Sequence, residues 1–171
     1  MYHSNAILLP SGQVLSAGGG RAPGWTDYPS AQLYSPDYLS QPNRPVITGV
    51  SGQVWTPGGA ASLNVSTANG VASVVLMGLP TVTHGIDTTA RRLVLPITAN
   101  GGGAVTVQVP SGNLAPAGHY YAIAFDGRGV PSAAKIVQVA GSGGAAAASV
   151  PTTAGPEIAR AAVDPEAPES D

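Results

Sequence analysis

The sequence of 171 residues lacks cysteine, has a single phenylalanine and carries few charged side chains, which make up 9% of the chain. Without cysteine it can form neither a disulfide framework nor a zinc site built on thiolates. The formal net charge is -2, and lysine and arginine do not cluster with aromatic residues. This pattern argues against nucleic acid as a partner. No apolar run approaches the roughly 18–20 residues that a membrane-spanning helix needs, so no membrane span is predicted.

The N-terminus lacks the features of a secretory signal peptide. Met1 is not followed by a basic region, and the apolar run at residues 6–9 is far shorter than a signal core. The sequence therefore predicts no cleaved leader and leaves the location of the protein open.

Glycine (23 residues) and proline (16 residues) are abundant, and they separate short runs of valine, isoleucine, threonine and leucine. This composition is typical of an all-β fold with many turns. From Arg44 onward the runs predict seven strands with turn signals between them, which favours an immunoglobulin-like sandwich over residues 44–139. The predicted strands are Val46–Val50, Ala61–Val65, Ala72–Met77, Arg92–Ile97, Ala104–Val109, Tyr120–Phe125 and Ala134–Val139. Alternation along the sixth predicts that Tyr121, Ile123 and Phe125 face the core together.

The segments on either side of the sandwich have a different character. Residues 5–17 predict a hairpin that turns at Pro10–Gln13 and ends in a run of three glycines, and residues 21–43 predict a connection rich in proline, tyrosine and serine. Residues 140–171 form a tail rich in alanine, glycine and proline. Five acids against one arginine give this tail a net charge of -4, and we expect it to be disordered.

Two of the three histidines stand in positions that suggest a metal site. His3 follows Tyr2 at the start of the predicted hairpin, and His84 lies in the loop sequence Thr83-His84-Gly85. One phenol and two imidazoles form an O,N,N donor set, which suits copper(II). Taken alone, a histidine in an apolar stretch is more often a structural residue than a ligand, and we expect His119 to be structural.

An ordered set of motifs gives the chain a family resemblance. Tyr2-His3-Ser4 is followed by Leu8-Leu9-Pro10-Ser11-Gly12 and the glycine run at 18–20; then come Tyr34-Ser35-Pro36, Arg44-Pro45, Thr83-His84 with Arg91-Arg92, and Gly129-Val130-Pro131-Ser132. In this order they resemble the C-terminal part of a galactose oxidase/glyoxal oxidase-type copper radical oxidase, over residues 2 to about 139. In that family a seven-bladed kelch-like β-propeller precedes an immunoglobulin-like early-set domain. The resemblance implies that residues 1–43 are a remnant of the last blade with its connecting loop, and that residues 44–139 are the early-set domain.

The resemblance also implies a set of copper ligands. Tyr2 matches the axial tyrosine, which accepts the substrate proton, and His3 and His84 match the two equatorial histidines. The fourth ligand of the family is a tyrosine cross-linked to a cysteine, and this pair stores the second oxidising equivalent as a radical. It belongs to an early blade that has no counterpart here, and at most two strands of the last blade are predicted. We therefore expect weak copper binding at best by this chain alone, whereas the full-length family binds one copper ion.

Three functional hypotheses follow, and whether the chain is an enzyme stays open between them. The first is a fragment of a copper radical oxidase, with three of four copper ligands, that is inactive alone; family substrates are primary alcohols, aldehydes and sugars, and O2 becomes H2O2. The second is a stand-alone early-set module that binds a glycan or a protein and has no redox function. The third is the C-terminal part of a split enzyme whose partner is a separate propeller chain. Family members are secreted.

Overall fold

Short β-strands dominate the computed structural model of the chain, which describes residues 3–20, 24 and 26–141. The predicted tail lies outside the described residues from position 142 onward, and so does Tyr2. In chain order the strands are β1 (Asn5–Leu8), β2 (Val14–Ala17), β3 (Ala31–Tyr34), β4 (Val46–Val50), β5 (Val54–Trp55), β6 (Ala60–Ser66), β7 (Val71–Gly78), β8 (Val82–Thr83), β9 (Ile86–Asp87), β10 (Arg92–Leu95), β11 (Ile97–Gly101), β12 (Ala104–Gln108), β13 (Gly118–Asp126) and β14 (Lys135–Val139), and a 3-10 helix covers Asp37–Ser40. Within the described ranges no helix has the length and apolar character needed to cross a membrane.

Two sheets pack face to face and form the predicted immunoglobulin-like sandwich. One has five strands in the order β10-β7-β13-β14-β5, and the other has four in the order β11-β12-β6-β4. All neighbours are antiparallel except β14 and β5, which are parallel. The fold is therefore all-β, as predicted, and strands occur in all seven predicted regions.

The sandwich core is aliphatic and lies between the two sheets. Alternating residues of β6 and β12 point inward from the four-stranded sheet, and β7, β13 and β14 supply the opposite side. Burial of these side chains is the main stabilising term, at about 25 cal/mol for each Å² of apolar surface removed from water. The largest fully buried apolar side chains are Trp55, Leu63, Val74, Val75, Leu76, Leu95, Val105, Val107, Val109, Val137 and Val139.

The prediction of a single strand over Arg92–Ile97 is wrong. The chain crosses from one sheet to the other at Pro96, so β10 belongs to the five-stranded sheet and β11 to the four-stranded sheet. Proline has no N–H to donate to a sheet ladder, and this makes it suited to the crossing point. Its carbonyl still accepts a hydrogen bond from the N–H of Gln108 at 2.9 Å.

The N-terminal segment forms a three-stranded antiparallel sheet in the order β1-β2-β3, and not the hairpin alone. The expectation of at most two strands here is wrong, because Ala31–Tyr34 pairs along its whole length with β2. All four residues of β3 are exposed. The surrounding proline, tyrosine and serine residues obscured this short strand in the sequence.

The central strand β13 is covered on both faces, which corrects a third prediction. Tyr120, Ala122 and Ala124 belong to the sandwich core, whereas Tyr121 and Ile123 are buried outside it. The Tyr121 hydroxyl donates to the carbonyl of Leu8 at 3.2 Å, so this face packs against the N-terminal sheet. Tyr121, Ile123 and Phe125 do share one face of β13, but this is the outer face, which packs against the N-terminal segment.

Candidate metal centre

His84 lies at the tip of a hairpin that projects from the sandwich between β7 and β10. Val82 pairs with Asp87 and Thr83 pairs with Ile86, so His84 and Gly85 form a two-residue turn. Their φ angles are 54° and 77°. Positive φ at both central residues is the mark of a type I′ turn, which usually holds Asn-Gly or Gly-Gly. A histidine at the first of these positions is therefore unusual.

His3 has the same backbone conformation, just before β1. Among the described residues only His3, Asn43 and His84 combine a positive φ with a side chain larger than hydrogen. Such residues are uncommon and carry a conformational cost of about 1–3 kcal/mol, and they cluster at functional sites. Both histidines predicted as metal ligands belong to this small group.

The fold brings the two imidazoles into contact, although they are about eighty residues apart in the chain. The ring centroids of His3 and His84 are 4.4 Å apart, and the ring planes meet at 74°. The turn also approaches the N-terminal backbone closely: a Cβ on Gly85 would lie 3.4 Å from the carbonyl oxygen of Ser4. Glycine at this position therefore serves both the turn and the approach.

Asp87 holds the base of the hairpin together. Its Oδ1 accepts three hydrogen bonds, from the Thr81 N–H at 3.1 Å, the Thr89 N–H at 3.0 Å and the Thr89 hydroxyl at 2.9 Å. Desolvation raises the pKa of this carboxyl, but these hydrogen bonds to the charged form outweigh it and leave the pKa below its ordinary value. Sequence reasoning missed this residue, although a carboxylate followed by two threonines beside a turn is a recognisable signal.

The His84 ring has a local partner in the preceding residue. The Oγ1 atom of Thr83 lies 2.8 Å from Nδ1 of His84. The partner of one imidazole nitrogen sets the role of the other, here Nε2. The motif Thr83-His84 is visible in the sequence, but this contact is not.

The N-terminal sheet is attached to the sandwich by backbone and arginine contacts. The N–H of Ala134 donates to the carbonyl of Pro10 at 2.8 Å. Arg44 donates through Nε to the carbonyl of Pro131 at 3.1 Å and through a terminal nitrogen to the carbonyl of Ser11 at 3.3 Å. The bonds from Ala134 to Pro10 and from Arg44 to Ser11 thus join the sandwich to the N-terminal segment.

The residues present suit copper in kind, since two imidazoles from separate segments meet at one place. The third predicted donor, Tyr2, lies outside the described residues. His119 is exposed on β13. In the part of the chain that the structure describes, no cluster of three or more histidine, cysteine, aspartate or glutamate side chains could hold a metal ion. A complete site here thus needs donors beyond those the described residues supply.

Comparison with known proteins places the chain in a family. Residues 44–139 match the model of the galactose oxidase-like early set domain. Galactose oxidase of Gibberella zeae is 36% identical over 146 residues, which are 81% of this chain and 21% of that protein. An aldehyde oxidase of Arabidopsis thaliana is 32% identical over 162 residues, with 81% of this chain and 26% of that protein covered. The chain thus spans about a fifth to a quarter of the length of these relatives.

A solved structure is similar in both fold and sequence. It is a fungal alcohol oxidase of the AA5 family in complex with copper, which matches with a TM-score of 0.67 and 27% identity over 80% of this chain and 30% of that one. This similarity extends over more of the chain than residues 44–139. On the strength of the domain match over residues 44–139, the chain belongs to the galactose oxidase-like early set domain family.

Proposed function

We propose that this chain supplies the C-terminal part of a copper radical oxidase, with Tyr2, His3 and His84 as three of its copper ligands. The observation that carries the proposal is the contact between the His3 and His84 rings, which come from distant segments and share an unusual backbone conformation. A structural role alone gives no reason for two histidines to adopt left-handed conformations at one point. The relationship to galactose oxidase and to aldehyde oxidases supports the same conclusion.

The proposed ligands would have different roles in the reaction. His3 and His84 hold the metal, and the Tyr2 phenolate accepts the proton of a primary alcohol or of a hydrated aldehyde as the substrate is oxidised. Copper, when bound, supplies the one-electron redox chemistry that these side chains lack. The second electron needs the cross-linked tyrosine of the family, and the chain has no cysteine to build that pair.

The proposed partner is therefore a β-propeller that bears the fourth ligand. A propeller blade needs four strands, and the N-terminal sheet has three, with an exposed outer strand β3. We propose that this sheet is part of the last blade and that the chain is inactive without the remaining blades, whether these belong to the same gene product or to a separate chain.

Complementation tests this proposal. The purified chain is mixed with a propeller that lacks its own C-terminal part but carries the cross-linked tyrosine, then loaded with copper and oxidised. We expect H2O2 production from primary alcohols, aldehydes or galactose by the mixture and none by either part alone. Turnover should fall by about 10²–10⁴-fold in Tyr2→Phe, because a positioned general base typically contributes that much.

Copper binding gives a second readout. Titration of the chain followed by electron spin resonance should detect weak copper(II) binding that is lost in His84→Ala, weakened in His3→Ala and unchanged in the control His119→Ala. Copper must order two separate segments, which lowers the affinity of the isolated chain.

If the propeller associates with the chain but turnover stays absent, the chain is a binding module. Turnover by the chain alone, or copper binding that survives loss of both histidines, would contradict the ligand assignment.

A further inference from the structure

The contact between Thr83 and His84 bears on which nitrogen of the imidazole is available to a metal. A neutral imidazole has one N–H and one lone pair, and the partner of one nitrogen sets the role of the other. Here the Thr83 hydroxyl lies 2.8 Å from Nδ1. The Thr83 side chain is exposed, so its own proton can be donated to solvent while its oxygen accepts.

We propose that Thr83 is a positioning residue for His84: its hydroxyl accepts the Nδ1–H and thereby presents the Nε2 lone pair toward the site shared with His3. This inference rests on the proposed function, in which His84 is a copper ligand and the orientation of its Nε2 lone pair matters for binding.

The geometry of the hairpin places the Thr83 hydroxyl beside the His84 ring. Thr83 is the last residue of β8, and its pairing with Ile86 fixes its backbone next to the turn. Threonine is branched at Cβ, which restricts its χ1 angle and holds the hydroxyl in few orientations. The hydrogen bond therefore orients the imidazole from a side chain that has little freedom of its own.

The metal-free protein provides the first test. Nitrogen-15 NMR of the imidazole, at an alkaline pH where the ring is neutral, distinguishes the Nδ1–H from the Nε2–H tautomer. We expect the Nδ1–H form to predominate for His84 in the native chain and to lose its predominance in Thr83→Val, which keeps the shape but removes the acceptor. Thr83→Ser should retain it. Thr98→Val is the matched control, since the Thr98 hydroxyl donates to the Thr106 carbonyl within the four-stranded sheet and is not part of the β8–β9 hairpin.

Copper(II) titration provides the second test. We expect Thr83→Val to lower copper affinity by about 10–100-fold, the effect typical of partners that orient a metal-bound histidine. Thr83→Ser should recover most of that loss, and Thr98→Val should bind like the native chain. Unfolding curves of all four proteins show whether the variants remain folded.

The outcomes separate this inference from the proposed function. An Nε2–H tautomer in the native chain, or an unchanged Nδ1–H population in Thr83→Val, would overturn the role of Thr83 whatever copper does. Conversely, the expected tautomers together with no copper binding, even in the presence of the propeller, would overturn the copper function and leave Thr83 a structural partner of His84.

Discussion

At the scale of single residues, His84 occupies a position that its side chain does not favour. The first residue of a type I′ turn adopts the left-handed conformation, which costs most L-residues about 1–2 kcal/mol and suits asparagine or glycine better. His84 has φ of 54° there and a glycine after it. Local stability would select asparagine at this position, so the histidine is best explained by what its ring does.

This conflict predicts opposite effects of one substitution. His84→Asn should leave the free energy of unfolding unchanged or raise it by up to about 1 kcal/mol, because asparagine fits the turn. The same change should abolish copper binding. Urea unfolding and copper titration measure the two effects. The control is His119→Asn, which places asparagine in the strand β13 and should lower stability slightly. Clear destabilisation by His84→Asn would show that the histidine is retained for packing.

Asp126 gives a second residue-scale prediction, on pH dependence. The side chain is fully buried at the end of β13 and pairs with Arg128 at 2.9 Å. Desolvation raises the pKa of this carboxyl, but hydrogen bonds from the Val130 N–H and from Arg128, with the arginine charge, outweigh it and hold the pKa below its ordinary value of 3.8.

A lowered pKa means that the carboxylate stabilises the fold above pH 3.8 and that this contribution is lost as the pH falls through the lower folded-state pKa. We expect Asp126→Asn to be less stable at neutral pH and to lose less stability on acidification than the native chain. Unfolding followed at several pH values checks this. Asp37→Asn, at an exposed position of the 3-10 helix, serves as the control. An unchanged acid slope in Asp126→Asn would contradict the assignment.

At the scale of elements, the β8–β9 hairpin is too short to be stable by its own pairing. Its position depends on Asp87, whose Oδ1 joins Thr81 and Thr89 at the base, and on the close approach of Gly78 to Thr89. A Cβ on Gly78 would lie 2.3 Å from the Thr89 carbonyl oxygen, so glycine is required there. The base of the hairpin is therefore attached to the sandwich, and its tip holds His84.

Two substitutions at Asp87 distinguish the effect of its hydrogen-bond acceptor from the effect of its negative charge. All three hydrogen bonds end at one oxygen, so Asp87→Asn can keep an acceptor there, whereas Asp87→Ala removes it. We expect Asp87→Ala to accelerate hydrogen exchange at the Thr81 and Thr89 amides and to weaken copper binding, and Asp87→Asn to retain most of both. If both variants lose amide protection and copper affinity equally, the negative charge of Asp87, and not its hydrogen-bond acceptor, holds the hairpin in place.

The elements also show what the sequence could predict. Strands such as Val46–Val50 followed from apolar alternation and turn residues, because both signals are local. The two-residue strands β5, β8 and β9 were missed, since pairs such as Val54–Trp55 are too short to show a period and are fixed by their partners. His3 and His84 were identified through a family resemblance, but the contact of their rings depends on tertiary packing.

At the scale of the whole molecule, the candidate centre lies where two parts of the chain meet. His3 precedes the N-terminal sheet, and His84 belongs to a loop of the sandwich. Their contact therefore depends on how firmly that sheet is attached. The outer face of β13 is apolar because it receives the sheet, through contacts such as the Tyr121 hydroxyl to the Leu8 carbonyl. The N-terminal segment and the sandwich, which meet in the sequence near Arg44, thus also pack against each other.

This interface predicts the outcome of limited proteolysis. From the sequence, residues 44–139 alone are expected to form the resistant core. The hydrogen bonds of Arg44 to Pro131 and Ser11, and of Arg128 to the carbonyls of Pro42 and Asn43, favour a larger resistant fragment that includes β1 and β2. Proteinase K digestion followed by mass spectrometry distinguishes the two. Arg44→Ala should shift the product toward the sandwich alone, because it removes the hydrogen bond from Arg44 to the Ser11 carbonyl across the interface, whereas Lys135→Ala on β14 should not. A native chain trimmed directly to residues 44–139 would show that the N-terminal sheet is held too weakly to keep His3 beside His84, and that the propeller must supply the missing support.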